Sequence, residues 1–241
     1  MTESDQSKRY FPEDLGLVPV EPYNPRKVTT VADFMRQLGQ TAFEGGNLGR
    51  SVETFLEMVT DKDTFVVMTS SGAMISAGMG LLICEMIDQG WVQAYVTTGA
   101  TMAHGLVISA GLRHYRAPHH LSDEQLQDLK MNRIYTTLEP EQNLDHVEEI
   151  MNAVIDQVAK ENPNKTFSSH LVTHEIGKYL HEHMPDRGIL KSAYEQGVPV
   201  FIPAFGDSEL GLDFKIGNDI RHHFGTKELH FDEFHDTHHH K

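Results

Sequence analysis

Scarcity narrows what this sequence can be. Cys84 is the only cysteine, so no disulfide framework can form within the chain, and its place in the apolar run Gly80-Leu81-Leu82-Ile83-Cys84-Glu85-Met86-Ile87 is that of a small buried thiol. Cations are scarce as well: 20 Lys and Arg against 35 Asp and Glu leave a formal charge of −15, which repels phosphate backbones and favours cationic partners. Nucleic acid is therefore not an expected partner, whereas an amine is compatible. No apolar run reaches the roughly 20 residues that a membrane helix needs. The start, Met1-Thr2-Glu3-Ser4-Asp5-Gln6, lacks the basic-then-apolar pattern of a secretion signal. The expectation is a soluble, cytoplasmic protein with no membrane partner.

What is present suffices for one substantial core, since 39% of the 241 residues are hydrophobic. Residues 1–29 are polar and carry Pro12, Pro19, Pro22 and Pro25, which predicts an extended arm ahead of a domain over 30–241. Val31, Phe34, Met35, Leu38, Ala42 and Phe43 fall at helical spacing, Gly45-Gly46-Asn47 is expected to break that helix, and Leu48, Val52, Phe55, Leu56 and Val59 resume the period to about Thr60. The β-branched run Thr64–Thr69 predicts a strand buried on both faces of a parallel sheet. Ser70-Ser71-Gly72-Ala73 then leads into a helix to about Gln89. A second strand over Trp91–Thr97 is closed by Thr98-Gly99-Ala100-Thr101. This alternation predicts an α/β fold of the Rossmann-like, doubly wound kind, a mostly parallel sheet with flanking helices.

Further along, Leu144, Val147, Ile150, Met151, Val154, Ile155 and Val158 predict an amphipathic helix that ends at Glu161-Asn162-Pro163-Asn164. A helix over roughly Ser169–His183 follows, and Gly197–Ala204 reads as a buried strand whose prolines mark its ends. Asp207-Ser208-Glu209-Leu210-Gly211 lies at its carboxyl end. Beyond Asn218 the chain is polar and His-rich, with little to bury.

In an open parallel sheet, ligands bind outside the carboxyl ends of the strands. Here the first two such ends combine glycine, which allows close backbone approach, with hydroxyls and a helix N-terminus suited to a pyrophosphate, and the third adds carboxylates for ribose hydroxyls or an ammonium. Tight turns ask for the same small residues, but three such turns together favour a nucleotide or another anionic small ligand. Neither GxGxxG nor a P-loop is present, so spacing does not name that ligand. His170 and His174, His181 and His183, and His238-His239-His240 near Asp232 and Asp236 have spacings that can bind zinc. A chain with 16 His produces such groupings by chance, His174-Glu175 lacks the HExxH order, and no metal site is assigned. His104, near the start of a helix after the second turn, is either an ordinary helix histidine or a neutral hydrogen-bonding or acid/base group facing the pocket.

Motifs in order along about residues 33–214 are similar to those of the deoxyhypusine synthase family, in its bacterial branch. Thr41–Arg50 resembles that family's T-x-F-x-x-x-N-x-G-R pattern, Ile75-Ser76-Ala77-Gly78 its ISSG element, and Thr97–His104 its TTAGG turn in the TGAN-x-x-H form. Met131-Asn132-Arg133-Ile134-Tyr135 matches INRI, Ile176-Gly177-Lys178 matches LGK, and Val198–Ala204 with Asp207, Leu210 and Gly211 matches PVFSPALTDGSLG. The resemblance implies a Rossmann-like homo-oligomer, dimer or tetramer, with NAD and a polyamine bound near a subunit interface. NAD would contact Gly72, Ala73, Met74, Ile75, Ser76, Thr98, Gly99, Ala100, His104 and Asp207. The amine would lie by Ala103, His104, Glu209 and Asp213. The implied chemistry is hydride transfer from a polyamine to NAD, capture of an aminoalkyl fragment by a lysine as an imine, and its transfer to an acceptor amine.

The sequence departs from that pattern at the amine site. Ala103 and His104 replace a glutamate pair, and Leu212 aligns with a family aspartate, although Asp213 is adjacent. The glycine-rich segment bearing the family's lysine is expected beyond Lys241, so no catalytic residue is assigned, and Lys178 belongs to a different motif. The leading expectation is a transferase of this type. A shortened, non-catalytic paralogue that binds a nucleotide or a full-length partner subunit is the alternative, and a metal-binding protein using the histidine-rich end is a third.

Overall fold

A computed structural model of the chain describes residues 11–118, 120–162, 164–225 and 229–232. The chain divides into two compact units, Met1–Thr64 and Phe65–Lys241.

In the first unit, single 3-10 turns at Pro12–Leu15 and Pro25–Lys27 precede α1 (Val31–Gly39) and α2 (Phe43–Thr60). Thr30 caps α1 in a reciprocal capping box: its hydroxyl accepts from the Asp33 backbone N–H while the Asp33 carboxylate accepts from the Thr30 N–H. The expected break at Gly45-Gly46 is a correction. The chain instead turns at Gln40–Ala42, Phe43 takes a left-handed φ of 57°, and both glycines lie inside α2. Gly49 lets the helices touch and Gly46 lets the connecting turn fold back on α2: a methyl at Gly46 would run into the Thr41 carbonyl, and one at Gly49 into the Gly39 backbone. These glycines serve close packing rather than helix termination.

The second unit is built on a parallel sheet of β1 (Val67–Thr69), β2 (Ala94–Val96) and β7 (Val200–Phe201), in the order β1-β2-β7. Met68 pairs with Tyr95, and Tyr95 with Val200. The sequence-based expectation of a first strand buried on both faces is corrected here. β1 is an edge strand of this sheet and Val67 is 50% exposed, whereas the central β2 carries the fully buried Tyr95, whose hydroxyl bonds Ser70. The predicted helix to Gln89 is two, α3 (Ala73–Ser76) and α4 (Gly80–Asp88), separated where Gly78 adopts φ 90°. α5 (Gly99–Ser109) follows β2.

Between α5 and the remaining helices lies a second, antiparallel sheet that the sequence reading did not anticipate. It comprises β3 (Tyr115–Arg116), β4 (Met131–Ile134) and β5 (Thr137–Pro140) in the order β3-β5-β4, with α6 (Asp123–Asp128) before β4. In its register Tyr115 pairs with Leu138 and Arg116 with Thr137, so His114 stands one step along, opposite Glu139. α7 (Gln142–Glu161) buries the predicted stripe Val147, Ile150, Met151, Val154, Ile155 and Val158. After β6 (Thr166–Phe167), α8 (Ser169–His183) has the predicted bounds and packs on α9 (Ile189–Gln196) and β7. α10 (Glu209–His223) inserts Leu210 and Phe214 into the core; beyond Asn218, where little was expected to be buried, Leu229 joins that core and Phe231 packs against it. β8 (His230–Phe231) then pairs in parallel with β6.

No helix among the described residues is long and apolar enough to cross a membrane. The result is a mixed α/β unit with a small parallel sheet, many helices and an added antiparallel sheet.

Candidate functional site

Each parallel strand ends in a turn that opens a helix, so β1, β2 and β7 deliver the residues of α3, α5 and α10 to one edge of the sheet. Buried hydroxyls tie the first two ends together: Thr97 Oγ1 lies 2.8 Å from the Ser70 carbonyl oxygen and 2.7 Å from Thr101 Oγ1. Thr98 caps α5 by accepting from the Thr101 N–H, and Ser208 caps α10 by accepting from the Gly211 N–H at 3.1 Å.

The three turns touch through their glycines. A Cβ at Gly72 would sit 2.7 Å from the Ala100 Cβ, and one at Gly99 would coincide with the Ser208 side chain. Both glycines are buried. Their missing side chains therefore make room for neighbouring turns rather than for a ligand, which corrects the expectation that Gly99 opens the backbone to a bound molecule.

The other predicted residues divide by exposure. Ala73, Met74 and Ser76 line a cavity of about 670 Å³, bounded on its other side by His114, Arg116 and Tyr135 of the antiparallel sheet region. Thr98, Ala100 and Asp207 are exposed. Ile75 lies in the hydrophobic core, and Ala103 is buried there as well, so neither side chain is open to a ligand.

His104, Glu209 and Asp213 belong to one electrostatic neighbourhood that includes Glu139, a residue the sequence reading did not single out. Glu139 is brought in by β5, its side chain only 2% exposed. One carboxylate oxygen, Oε2, is 3.2 Å from His104 Nδ1, and the other, Oε1, is 3.3 Å from His114 Nε2. The two ring nitrogens are themselves 3.3 Å apart. Oε1 and His114 Nδ1 have no aligned hydrogen-bond partner among the described residues. Burial pushes the Glu139 carboxyl up, but the imidazoles of His104 and then His114 outweigh that effect and hold it down at about 2.

α10 contributes the opposite kind of carboxyl. Glu209 is pushed up to about 7, first by burial, then by the charges of Asp213 and Glu139, with His104 pulling the other way. Asp213 is pushed up to about 6 by burial and by Glu148 of α7, and its buried Oδ2 has no hydrogen-bond partner among the described residues. Glu209 and Asp213, one helical turn apart on α10, thus share a neighbourhood with more negative charge than its own cations balance. Such a place attracts an ammonium or a metal ion.

A sequence signal was available for Glu139, though none marks His114. The runs Met131–Ile134 and Thr137–Pro140, two residues apart, read as a hairpin, and a glutamate inside such a run beside Leu138 is a charge awaiting a partner. Of the other histidines singled out, His170 and His174 are neighbours by ring contact on α8, and His181 pairs with Glu195. His238, His239 and His240, with Asp236, lie outside the described residues.

Comparison with known proteins adds a family. A family model described as deoxyhypusine synthase matches residues 33–241. A "Probable deoxyhypusine synthase" of Methanosarcina thermophila is 36% identical over 212 residues, which is 87% of this chain and 62% of that protein. A "Deoxyhypusine synthase-like protein" of Chlorobaculum parvum is 32% identical over 184 residues, 76% of this chain and 51% of that protein. The chain thus spans between half and two thirds of the length of these relatives. A crystal structure from Entamoeba histolytica, assigned as a deoxyhypusine synthase, superposes with a TM-score of 0.64 over 90% of this chain and 72% of that one at 14% identity, a likeness of fold.

Proposed function

Because this chain belongs to the deoxyhypusine synthase family, we propose that it serves NAD-dependent transfer of an aminoalkyl group from an amine or polyamine to an acceptor amine. In this reading the parallel sheet β1-β2-β7 is the dinucleotide-binding part of a Rossmann-like, doubly wound fold, and the protein works as a homo-oligomer, a dimer or tetramer. The observation that carries it is the meeting of the three carboxyl-end turns beside a cavity lined by Ala73, Met74 and Ser76. Its volume of about 670 Å³ falls within the roughly 300–1,000 Å³ of small-molecule sites.

NAD, when bound, supplies the hydride acceptor. On this chain, Ala73, Met74, Ser76, Thr98 and Ala100 would hold it, with the exposed Asp207 accepting from a ribose hydroxyl. Gly72 and Gly99 hold the turns together behind it. Glu209 and Asp213 would receive the cationic amine. Their raised pKa values mean that an ammonium arriving nearby favours their ionised forms, so amine binding at neutral pH is accompanied by proton release. His104 stands between the two groups, with Nδ1 engaged at Glu139 and Nε2 as its second polar atom.

Calorimetric titration of NAD into the wild type and Ala73→Trp tests the pocket. The indole fills the cavity wall, and affinity should fall at least about tenfold, since one lost contact of ~1.4 kcal/mol is a factor of ten. Unchanged affinity with an intact fold would place NAD elsewhere.

A further inference from the structure

The group formed by His104, His114 and Glu139 has a chemistry that the transferase reading does not use. The three residues come from different elements, α5, the segment before β3, and β5. Their donor atoms nevertheless meet in a compact cluster, with edges of 3.2 Å from His104 Nδ1 to Glu139 Oε2, 3.3 Å from His114 Nε2 to Glu139 Oε1, and 3.3 Å between the nitrogens. From this geometry we infer that His104, His114 and Glu139 form a binding site for a divalent transition-metal ion of the zinc class.

Proton bookkeeping argues against a purely hydrogen-bonded cluster. In a neutral imidazole each ring nitrogen carries either a proton or a lone pair. If His114 Nε2–H donates to His104 Nδ1, the lone pair of His104 Nδ1 faces the carboxylate. If both facing nitrogens carry protons for the carboxylate, the two N–H groups confront each other across 3.3 Å. With Glu139 ionised and both imidazoles neutral, each arrangement leaves one short edge repulsive, whereas a cation in the middle makes all three donors attractive at once.

The dimensions suit a small tetrahedral cation. Ligands at about 2.0–2.1 Å around a tetrahedral ion stand about 3.3–3.4 Å apart, close to the 3.3 Å between the two nitrogens, while adjacent ligands of an octahedral ion at that length stand only about 2.9 Å apart; the carboxylate, which faces one nitrogen with each of its oxygens, would bind through one of them. Two histidines and one glutamate also leave the fourth tetrahedral position to an exchangeable ligand. The surroundings favour positive charge, because Glu139 acts on Glu209, which feels Asp213 as well, and His114 lines the cavity through which an ion can enter. Glu139 and His114 side chains are 2% and 5% exposed, so this is an inner site rather than a surface collection of acids.

The test uses the full chain with His238→Ala, His239→Ala and His240→Ala, so that the terminal histidines do not compete. After chelator treatment, Zn²⁺ is titrated by calorimetry without NAD, which separates failure of this site from failure of the transferase reading. One equivalent should bind, and His114→Ala and Glu139→Gln should each weaken it at least about tenfold, whereas His146→Ala, at a half-exposed histidine of α7, should leave it unchanged. No stoichiometric binding, or binding that both site variants retain, would overturn the assignment. Should circular dichroism show either variant unfolded, Co²⁺ added to the unsubstituted triad decides. Strong visible absorption of a tetrahedral ion supports the site, and the weak spectrum of an octahedral one refutes it.

Discussion

Gly99→Ala should destabilise the second unit by forcing α5 against the cap of α10. The new methyl would coincide with the Ser208 side chain, which itself accepts from the Gly211 N–H at 3.1 Å and donates to the Phe205 carbonyl at 2.7 Å. Overpacking of this kind costs about 1–3 kcal/mol. Displacing the cap adds ~1 kcal/mol, against which alanine recovers up to about 1 kcal/mol of helix propensity over glycine. The expected net loss is therefore about 1–3 kcal/mol. Removing the obstacle should reverse it: with Ser208→Gly, the nearest remaining contact of the methyl is the Ser208 Cα at 3.6 Å, an ordinary separation. Ser208→Gly alone should cost a few tenths of a kcal/mol as a cap substitution, so the double variant should lie within about 1 kcal/mol of wild type, a positive coupling of about 1–3 kcal/mol. Urea unfolding of the four proteins measures each quantity. If Gly99→Ala is neutral, or if Ser208→Gly fails to rescue it, the two turns do not meet as described.

The other expectations concern charge and packing. Glu209 and Asp213 have folded-state pKa values raised to about 7 and about 6, so the stability they allow is fully present below about pH 4 and is lost as pH rises through 6 to 7; Glu209→Gln and Asp213→Asn should flatten that slope in urea unfolding series. Glu139 acts in the opposite sense: with its pKa held at about 2, its contribution is present above about pH 4.5 and disappears as pH falls toward 2, and Glu139→Gln should remove that acid-side loss. Ile87→Ala, at a fully buried position of α4, should cost about 2–5 kcal/mol in thermal unfolding. Val67→Ala on the half-exposed edge strand should cost less than about 1 kcal/mol, and equal losses at the two positions would contradict the edge placement of β1.

Periodicity served well where one residue pattern met one environment. The stripe from Val147 to Val158 became α7, and Ser169–His183 became α8, because each buries a single face against the core. It served less well where tertiary contact set the outcome. Gly45-Gly46-Asn47 resembles a helix break until the Thr41 carbonyl of the preceding turn is known to press against Gly46. A β-branched run such as Thr64–Thr69 has the same composition at the edge of a sheet as at its centre.

The site divides along the same line. The turns at Gly72, Thr98–Ala100 and Asp207–Glu209 were legible because strand ends are local signals, and they do converge. Glu139 and His114 were not, because what unites them with His104 is a pairing between segments more than 20 residues apart along the chain, and single residue types carry no mark of such a pairing. The reading of Gly99 as space for a ligand failed for a related reason: the space is filled by Ser208, which arrives from the far end of the unit.

The antiparallel ladder between β3 and β5 also works as a measuring device. His114 and Glu139 face each other only because Tyr115 is paired with Leu138, and alternate residues of a strand point to opposite faces. That pairing is shared with β4, whose hairpin to β5 turns in just Tyr135 and Thr136, with Tyr135 at φ 52°. Slippage by one residue would carry the Glu139 carboxylate to the other side of the sheet and bring Leu138 toward the imidazoles. The length of a solvent-facing turn thus determines whether the interior holds a charge or a hydrocarbon, and an insertion there would change the chemistry of the centre without altering one of its residues.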